Sequence, residues 1–270
     1  MKVSVLDIEG KIKEKIQLPK CFSQDIREDI IAKVIEAKKK AQPYASMLIA
    51  GKQYSASGKL VHRRHVWKSQ YGRGISRIPR KIFMRRGSQF NWEGATAPNT
   101  RGGRRAHPPK VESRLKKLKI NKKEMKLALY SALSATANFE AIKKRYSSLK
   151  DKDIKEVPFV VDSKITSLKV KELLKTLKKI LGNELFNISI KKKKVRSGKG
   201  KLRGRRYKSN AGLLFVIGNK ETLKTTAFDV KRTNELSVID LAKGGKPGRL
   251  TIYTKEAIKD LEEKIKWWSQ

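Results

Sequence analysis

Between Lys52 and Lys110 the chain runs for 59 residues with 15 lysines and arginines, seven glycines, a single acid, Glu93, and no sustained helical or strand period. Compact domains seldom carry structureless loops longer than about 12 to 15 residues unless the loop is functional or disordered. Fixing 59 backbones costs on the order of 60 to 120 kcal/mol, at about 1 to 2 kcal/mol each. The scattered Val66, Ile75, Ile78, Ile82 and Phe83 are too few to offset that cost. The segment is therefore expected to take its shape from a partner.

That partner should be anionic. The segment alone carries +14, and the whole chain carries +41 from 66 basic and 25 acidic residues. Self-repulsion on this scale opposes compaction until a polyanion neutralises it, and nucleic acid is the commonest one for a soluble basic protein. Arginine outnumbers lysine in the segment, and guanidinium forks onto phosphate and stacks on bases where ammonium is only a point charge. Interleaved Tyr54, Trp67, Tyr71, Phe83, Phe90 and Trp92 could stack on unpaired bases, as RNA-binding aromatics do. A second basic stretch, Lys191 to Lys208, holds 11 lysines and arginines in 18 residues with no acid, and is expected as a loop between two strands.

The flanking sequence is foldable. Val3, Val5, Leu6 and Ile8 predict a short strand ending at a turn around Gly10. From Asp25 to Lys40, Ile26, Ile30, Ile31, Val34 and Ile35 form one apolar stripe on a charged helix. Asn121 and Glu124 have capping-box spacing at the start of another helix. Its face of Ala128, Leu129, Ala132, Leu133 and Thr136 is mostly small, which permits close approach. After Asp153, short apolar runs alternate with helical stretches, the pattern of strand-helix-strand units. Strands are predicted at Val157–Val161, Leu185–Ile190, Leu213–Ile217 and Leu250–Tyr253, and helices at Leu168–Leu181 and Lys255–Trp267. The unbroken apolar run from Leu213 to Ile217 suits a strand covered on both faces. The expected fold is α/β: three-layer, with a mainly parallel sheet and flanking helices, plus a long irregular extended loop. Residues 1–45 and 111–270 would form the globular body and residues 46–110 the extended basic arm.

Other chemistries fail on the residues available. A lone cysteine, Cys21, allows neither an intrachain disulfide nor a cysteine-paired zinc site, and suits a reducing compartment. The amino-terminal residues have no apolar signal core, so export is not expected. No apolar run approaches the roughly 18 to 20 residues of a spanning helix. Gly72 and Gly74 begin a dinucleotide fingerprint, but Arg77 occupies the third glycine position. Gly198, Gly200 and Gly204 miss the spacing by one, and Gly245-Lys246 is followed by Pro247 where a phosphate loop needs Ser or Thr. His62 and His65 have a metal-like gap, with only His107 and Cys21 to complete a site. A metal-dependent nuclease needs clustered carboxylates, and the basic segments contain only Glu93. No metal, cofactor, small-molecule substrate or membrane is expected.

Nucleic-acid binding without catalysis is left. No helix-turn-helix or basic zipper is visible, a long irregular arm suits folded RNA, and two separated basic loops suit a large RNA surface. Residue chemistry alone stops at a structural RNA-binding protein with an α/β anchor.

Four strings go further: Arg101-Gly-Gly-Arg-Arg-Ala-His-Pro-Pro-Lys110, Ser131-Ala-Leu-Ser-Ala-Thr-Ala137, Gly198-Lys-Gly-Lys-Leu-Arg-Gly-Arg-Arg-Tyr207 and Leu241-Ala-Lys-Gly-Gly-Lys-Pro-Gly-Arg249. With Gly72-Arg-Gly-Ile-Ser-Arg-Ile-Pro-Arg80, they resemble, in order and over nearly the whole chain, the archaeal and eukaryotic branch of the large-subunit ribosomal protein L-four family. The resemblance implies a non-enzymatic constituent of the cytoplasmic ribosome. Its partners would be large-subunit ribosomal RNA, neighbouring large-subunit proteins and the nascent polypeptide, with the arm lining the peptide exit tunnel near its constriction and the protein supporting assembly. It further implies RNA contacts at Arg63, Arg64, Arg73, Arg77, Arg80, Lys81, Arg85, Arg86, Arg101, Arg104, Arg105 and Lys110 in the arm. In the body it implies them at Lys199, Lys201, Arg203, Arg205, Arg206 and Arg249. The arm tip, about Arg85 to Trp92, would present Arg85, Arg86, Phe90 and Trp92 to the tunnel. Two other classes stay open: an RNA-modifying enzyme with the α/β body as cofactor domain, and a chromatin-like DNA packager.

Overall fold

The computed structural model describes residues 1–40, 63–67, 69–95, 97–102, 118–149 and 157–269. In chain order come β1 (Lys2–Leu6), β2 (Ile12–Gln17), α1 (Glu28–Lys40), β3 (Arg80–Arg86), β4 (Gln89–Gly94), α2 (Lys122–Ala137) and α3 (Phe139–Arg145). They are followed by β5 (Phe159–Val161), α4 (Val170–Ser189), β6 (Lys193–Val195), β7 (Tyr207–Ser209), β8 (Leu214–Ile217), β9 (Asp229–Arg232), α5 (Val238–Leu241), β10 (Thr251–Thr254) and α6 (Lys255–Ser269). The chain divides into two units, one of Met1–Lys39 with Lys119–Gln270 and one of Lys40–Leu118.

The first unit is built on a six-stranded sheet of order β2-β1-β5-β10-β8-β9, parallel throughout except for the antiparallel β1–β2 pair. Successive strand residues point to opposite faces, and here they enter two different cores. Leu214 and Val216 of β8 join Val160, Tyr253 and the buried faces of α1, α2 and α6. Phe215 and Ile217 join Phe159, Val161, Ile252 and Leu173, Leu177, Leu181 and Leu185 of α4. Every β8 residue is buried, as its unbroken apolar run requires. The α/β expectation is borne out.

The small face of α2 does what its residues allow. Ala128, Ala132 and Ala135 are fully buried, so the segment before α1 comes close enough for Ser131 Oγ to donate to the Asp25 carbonyl at 2.7 Å and to accept from the Arg27 N–H at 2.9 Å. The Asn121 side chain makes no cap hydrogen bond, so the expected capping box is not complete.

Two expectations are corrected. Leu185–Ile190 is not a strand but the continuation of α4, because the four-residue spacing of Leu173, Leu177, Leu181 and Leu185 carries on across a kink at Gly182 (φ 73°). The central segment is not devoid of regular structure, since β3 and β4 pair antiparallel around Gly87-Ser88. Gly87 has φ 55° while Ser88 is not left-handed, the pattern of a type II′ turn with glycine first. The pairing slips between Ile82 and Met84, leaving Phe83 in a bulge and 70% exposed.

Candidate nucleic-acid interface

The second basic stretch is not a plain loop. Its ends pair as β6 and β7, with Lys193 opposite Ser209, Lys194 opposite Lys208 and Val195 opposite Tyr207. Between them Gly198–Arg203 forms a 3-10 turn. Arg196 ties the tip together from inside: its N–H donates to the Arg206 carbonyl at 2.8 Å and its Nε to the Arg205 carbonyl at 3.1 Å. Asn210 closes the neck, its side chain accepting from the Lys192 N–H at 2.7 Å and donating to the Ile190 carbonyl at 2.9 Å. This leaves the expected contact residues Lys199, Lys201, Arg203, Arg205 and Arg206 exposed on one hydrogen-bonded ribbon. Among the described residues none of the five is paired with a carboxylate, so their charge is free for phosphate.

The roots of the ribbon are held by charges that sequence reasoning assigned otherwise or missed. Arg249, expected on RNA, is fully buried. Its Nε donates to the Gly212 carbonyl at 3.0 Å, its Nη1 to that of Asp240 at 2.8 Å, and its Nη2 to those of Ala211 and Leu213 and to Asp229 Oδ2, the last at 2.6 Å. A guanidinium with no exposed surface and bonds from all three of its nitrogens to internal acceptors is not presented to phosphate, so Arg249 is corrected from an RNA contact to an internal clamp. Asp229 also accepts from Lys191 and, at 2.7 Å, from Lys243. Burial alone would raise its carboxyl, but hydrogen bonds from Lys191, Lys243 and Arg249 outweigh burial and hold it far below the ordinary aspartate range. No sequence signal marks Asp229 beyond its being an acid inside a basic region.

In the second unit, Arg63, Arg64, Arg73, Arg77, Arg85, Arg86 and Arg101 are exposed, while Arg80 and Lys81 are half-buried. The β3–β4 hairpin brings Arg80, Lys81, Arg85 and Arg86 onto one strand, opposite Gly94, Glu93, Phe90 and Gln89. Lys81 lies 3.6 Å from Glu93, Arg80 Nη2 donates to the Ser76 carbonyl at 3.0 Å, and the Arg77 guanidinium sits 4.3 Å from the Tyr71 ring centre. Trp92 is half-buried. Arg104, Arg105, Lys110, His62, His107 and Tyr54 lie outside the described residues.

A family model described as the ribosomal protein L4/L1 family matches residues 16–264. The chain belongs to that family. Among similar proteins, the large ribosomal subunit protein uL4 of Nanoarchaeum equitans is 39% identical over 272 residues, covering 98% of each chain. The protein of the same description from Sulfurisphaera tokodaii is 40% identical over 273 residues, covering 98% of this chain and 95% of its own. The sequence motifs named the archaeal and eukaryotic branch, and the archaeal relatives support that reading; the family is one of ribosomal proteins rather than enzymes.

At the carboxyl edge of the sheet, backbone donors just after β8 are already taken. Open α/β sheets bind nucleotides beyond the strand ends, where backbone N–H groups meet phosphate. Here the N–H of Gly218, just after β8, donates to Glu221 Oε2 at 2.7 Å, and that of Asn219 to Asp260 Oδ2 at 2.6 Å. Thr254 Oγ1, at the end of β10, donates to the same Glu221 oxygen at 2.6 Å. Carboxylates thus occupy the two backbone donors after β8, which disfavours an anion or cofactor at that strand end. The approach of α6 is close: a Cβ on Gly218 would lie 2.9 Å from Glu256 Cβ. Gly218→Ala is expected to lower stability by about 1 to 2 kcal/mol, overpacking outweighing the smaller entropic gain of losing a glycine. A thermal melt at or above wild type would show that the packing yields.

Among the described residues no helix is long and apolar enough to cross a membrane, and no group of three or more His, Cys, Asp or Glu could hold a metal. Cys21 is a core thiol, pushed up to about 12 by burial, which keeps it protonated and unreactive.

Proposed function

We propose that the protein is a structural constituent of the large ribosomal subunit in the cytoplasm. It binds large-subunit ribosomal RNA through the β6–β7 ribbon and the basic segment from Arg63 to Lys110, supports subunit assembly, and lines the peptide exit tunnel with the β3–β4 tip, including Arg85, Arg86, Phe90 and Trp92. The observation that carries this reading is the acid-free ribbon, whose five cations at 199, 201, 203, 205 and 206 stand exposed and unpaired among the described residues. The family and the uL4 relatives support the subunit assignment. Neighbouring ribosomal proteins and, at the tip, the nascent chain complete the set of partners. RNA is favoured over duplex DNA because a short cationic ribbon without a recognition helix fits irregular RNA surfaces better than a regular major groove.

Deleting residues 72–97 tests the tunnel part. The deletion is expected to leave the α/β unit folded by circular dichroism while impairing assembly of large subunits or altering the tunnel wall in those that form. Ribosomes that assemble at the normal rate with an unchanged tunnel would count decisively against the reading.

A further inference from the structure

We propose that the Tyr207 ring, backed by Val195, is a stacking platform for an unpaired base of RNA, so that the β6–β7 ribbon recognises looped or bulged RNA rather than regular duplex. The proposal rests on the RNA-binding reading above and goes beyond it by naming the ligand class of this site. Val195 and Tyr207 stand directly opposite in the ribbon register, so their side chains leave the same face. Each is 54% exposed, and every residue of β6 and β7 is exposed, so no further layer of the described structure covers that face. Leu202, at the tip between Lys201 and Arg203, is 88% exposed. Single exposed apolar side chains need no explanation, but three on one short acid-free ribbon place apolar surface only among cations.

The platform is also held in place. The Arg206 guanidinium lies 5.6 Å from the Tyr207 ring centre, and Arg196 Nη2 donates to the Tyr207 carbonyl at 3.4 Å. Arg196 fixes the two preceding carbonyls as well, so the strand that presents the ring is braced before any ligand arrives. The surrounding cations neutralise phosphates on either side of a strand that turns a base onto the ring. Base faces in a duplex are consumed by their own stack, whereas an unpaired base has one to offer. An acidic protein surface would answer the cations but leave the exposed ring and Leu202 without apolar partners.

The test uses the full chain with an adenine-rich single-stranded RNA and a blunt RNA duplex of equal length. Tyr207→Ala should weaken single-strand binding by roughly 5- to 100-fold while leaving duplex binding unchanged. Tyr207→Phe should retain wild-type affinity, because the ring and not the hydroxyl is the platform. The slope of log affinity against log salt should be the same in all three proteins, since every phosphate-neutralising cation is kept. Irradiation of the wild-type complex should cross-link the single strand at Tyr207. Equal loss on both polymers, no loss on either, or cross-links confined to other residues would overturn the platform while leaving RNA binding standing. A wild-type protein that binds neither polymer in a salt-dependent way would instead overturn the RNA reading itself, and the platform with it.

Discussion

Alanine at Lys199, Lys201, Arg203, Arg205 and Arg206 together should lower the slope of log affinity for large-subunit RNA against log salt by about 3.5 to 4.5, at roughly 0.7 to 0.9 for each phosphate that is no longer neutralised. Between about 50 and 200 mM salt, that is roughly two to three decades of salt sensitivity removed. The fold should not change. All five side chains are exposed, and the bonds that shape the tip run from Arg196 to backbone carbonyls, which alanine keeps. Nitrocellulose filter binding across a salt series, with a thermal melt as control, measures both. If the chain bound through its diffuse charge of +41 and not through this ribbon, removing five of 66 cations would shift the slope only marginally. An unchanged slope with an unchanged melt would therefore remove the ribbon from the interface.

What the sequence disclosed depended on burial. The central strands were legible because β8 and β10 are covered on both faces, and a run such as Leu213 to Ile217 has no polar alternative. The sheet edges were not. β2 reads Ile-Lys-Glu-Lys-Ile-Gln and β9 Asp-Val-Lys-Arg, charged sequences that protect an edge from pairing and thereby hide it from any hydrophobic pattern. The hairpins β3–β4 and β6–β7 were hidden for related reasons. In one a bulge places Ile82, Phe83 and Met84 in succession, and in the other both strands are exposed throughout, so neither alternates cleanly. At the interface, the exposed cations could be read from their acid-free surroundings. Arg249 could not, because nothing local separates an arginine bound for solvent from one bound for a cage of carbonyl oxygens. Its only hint is that it directly precedes buried Leu250 and, one residue on, the buried strand β10.

Asp229→Ala should lower the stability of the α/β unit by about 3 to 5 kcal/mol, the cost of leaving the buried Arg249 charge without its partner. That corresponds to a fall in melting temperature of roughly 6 to 20 °C for a chain of this size. Asp229 supplies the one carboxylate that Arg249 contacts among the described residues; the other four acceptors are carbonyls, which orient the guanidinium but do not neutralise it. Because the folded-state carboxyl lies below its ordinary 3.8, its contribution is complete above that value and is lost as pH falls through it toward the folded pKa. Wild-type stability should thus decline in this acid range, and Asp229→Asn should decline less steeply, as urea midpoints across a pH series would show. An Asn variant as stable as wild type at neutral pH would refute the clamp. The RNA consequence separates geometry from charge. Asp229 holds Lys191 at one root of the ribbon, and Arg249 holds Ala211, Gly212 and Leu213 at the other. Removing Asp229 makes the chain more positive, so charge alone predicts tighter RNA binding. Loss of the clamp frees the roots, and weaker binding by a variant still folded at the assay temperature is the expected result.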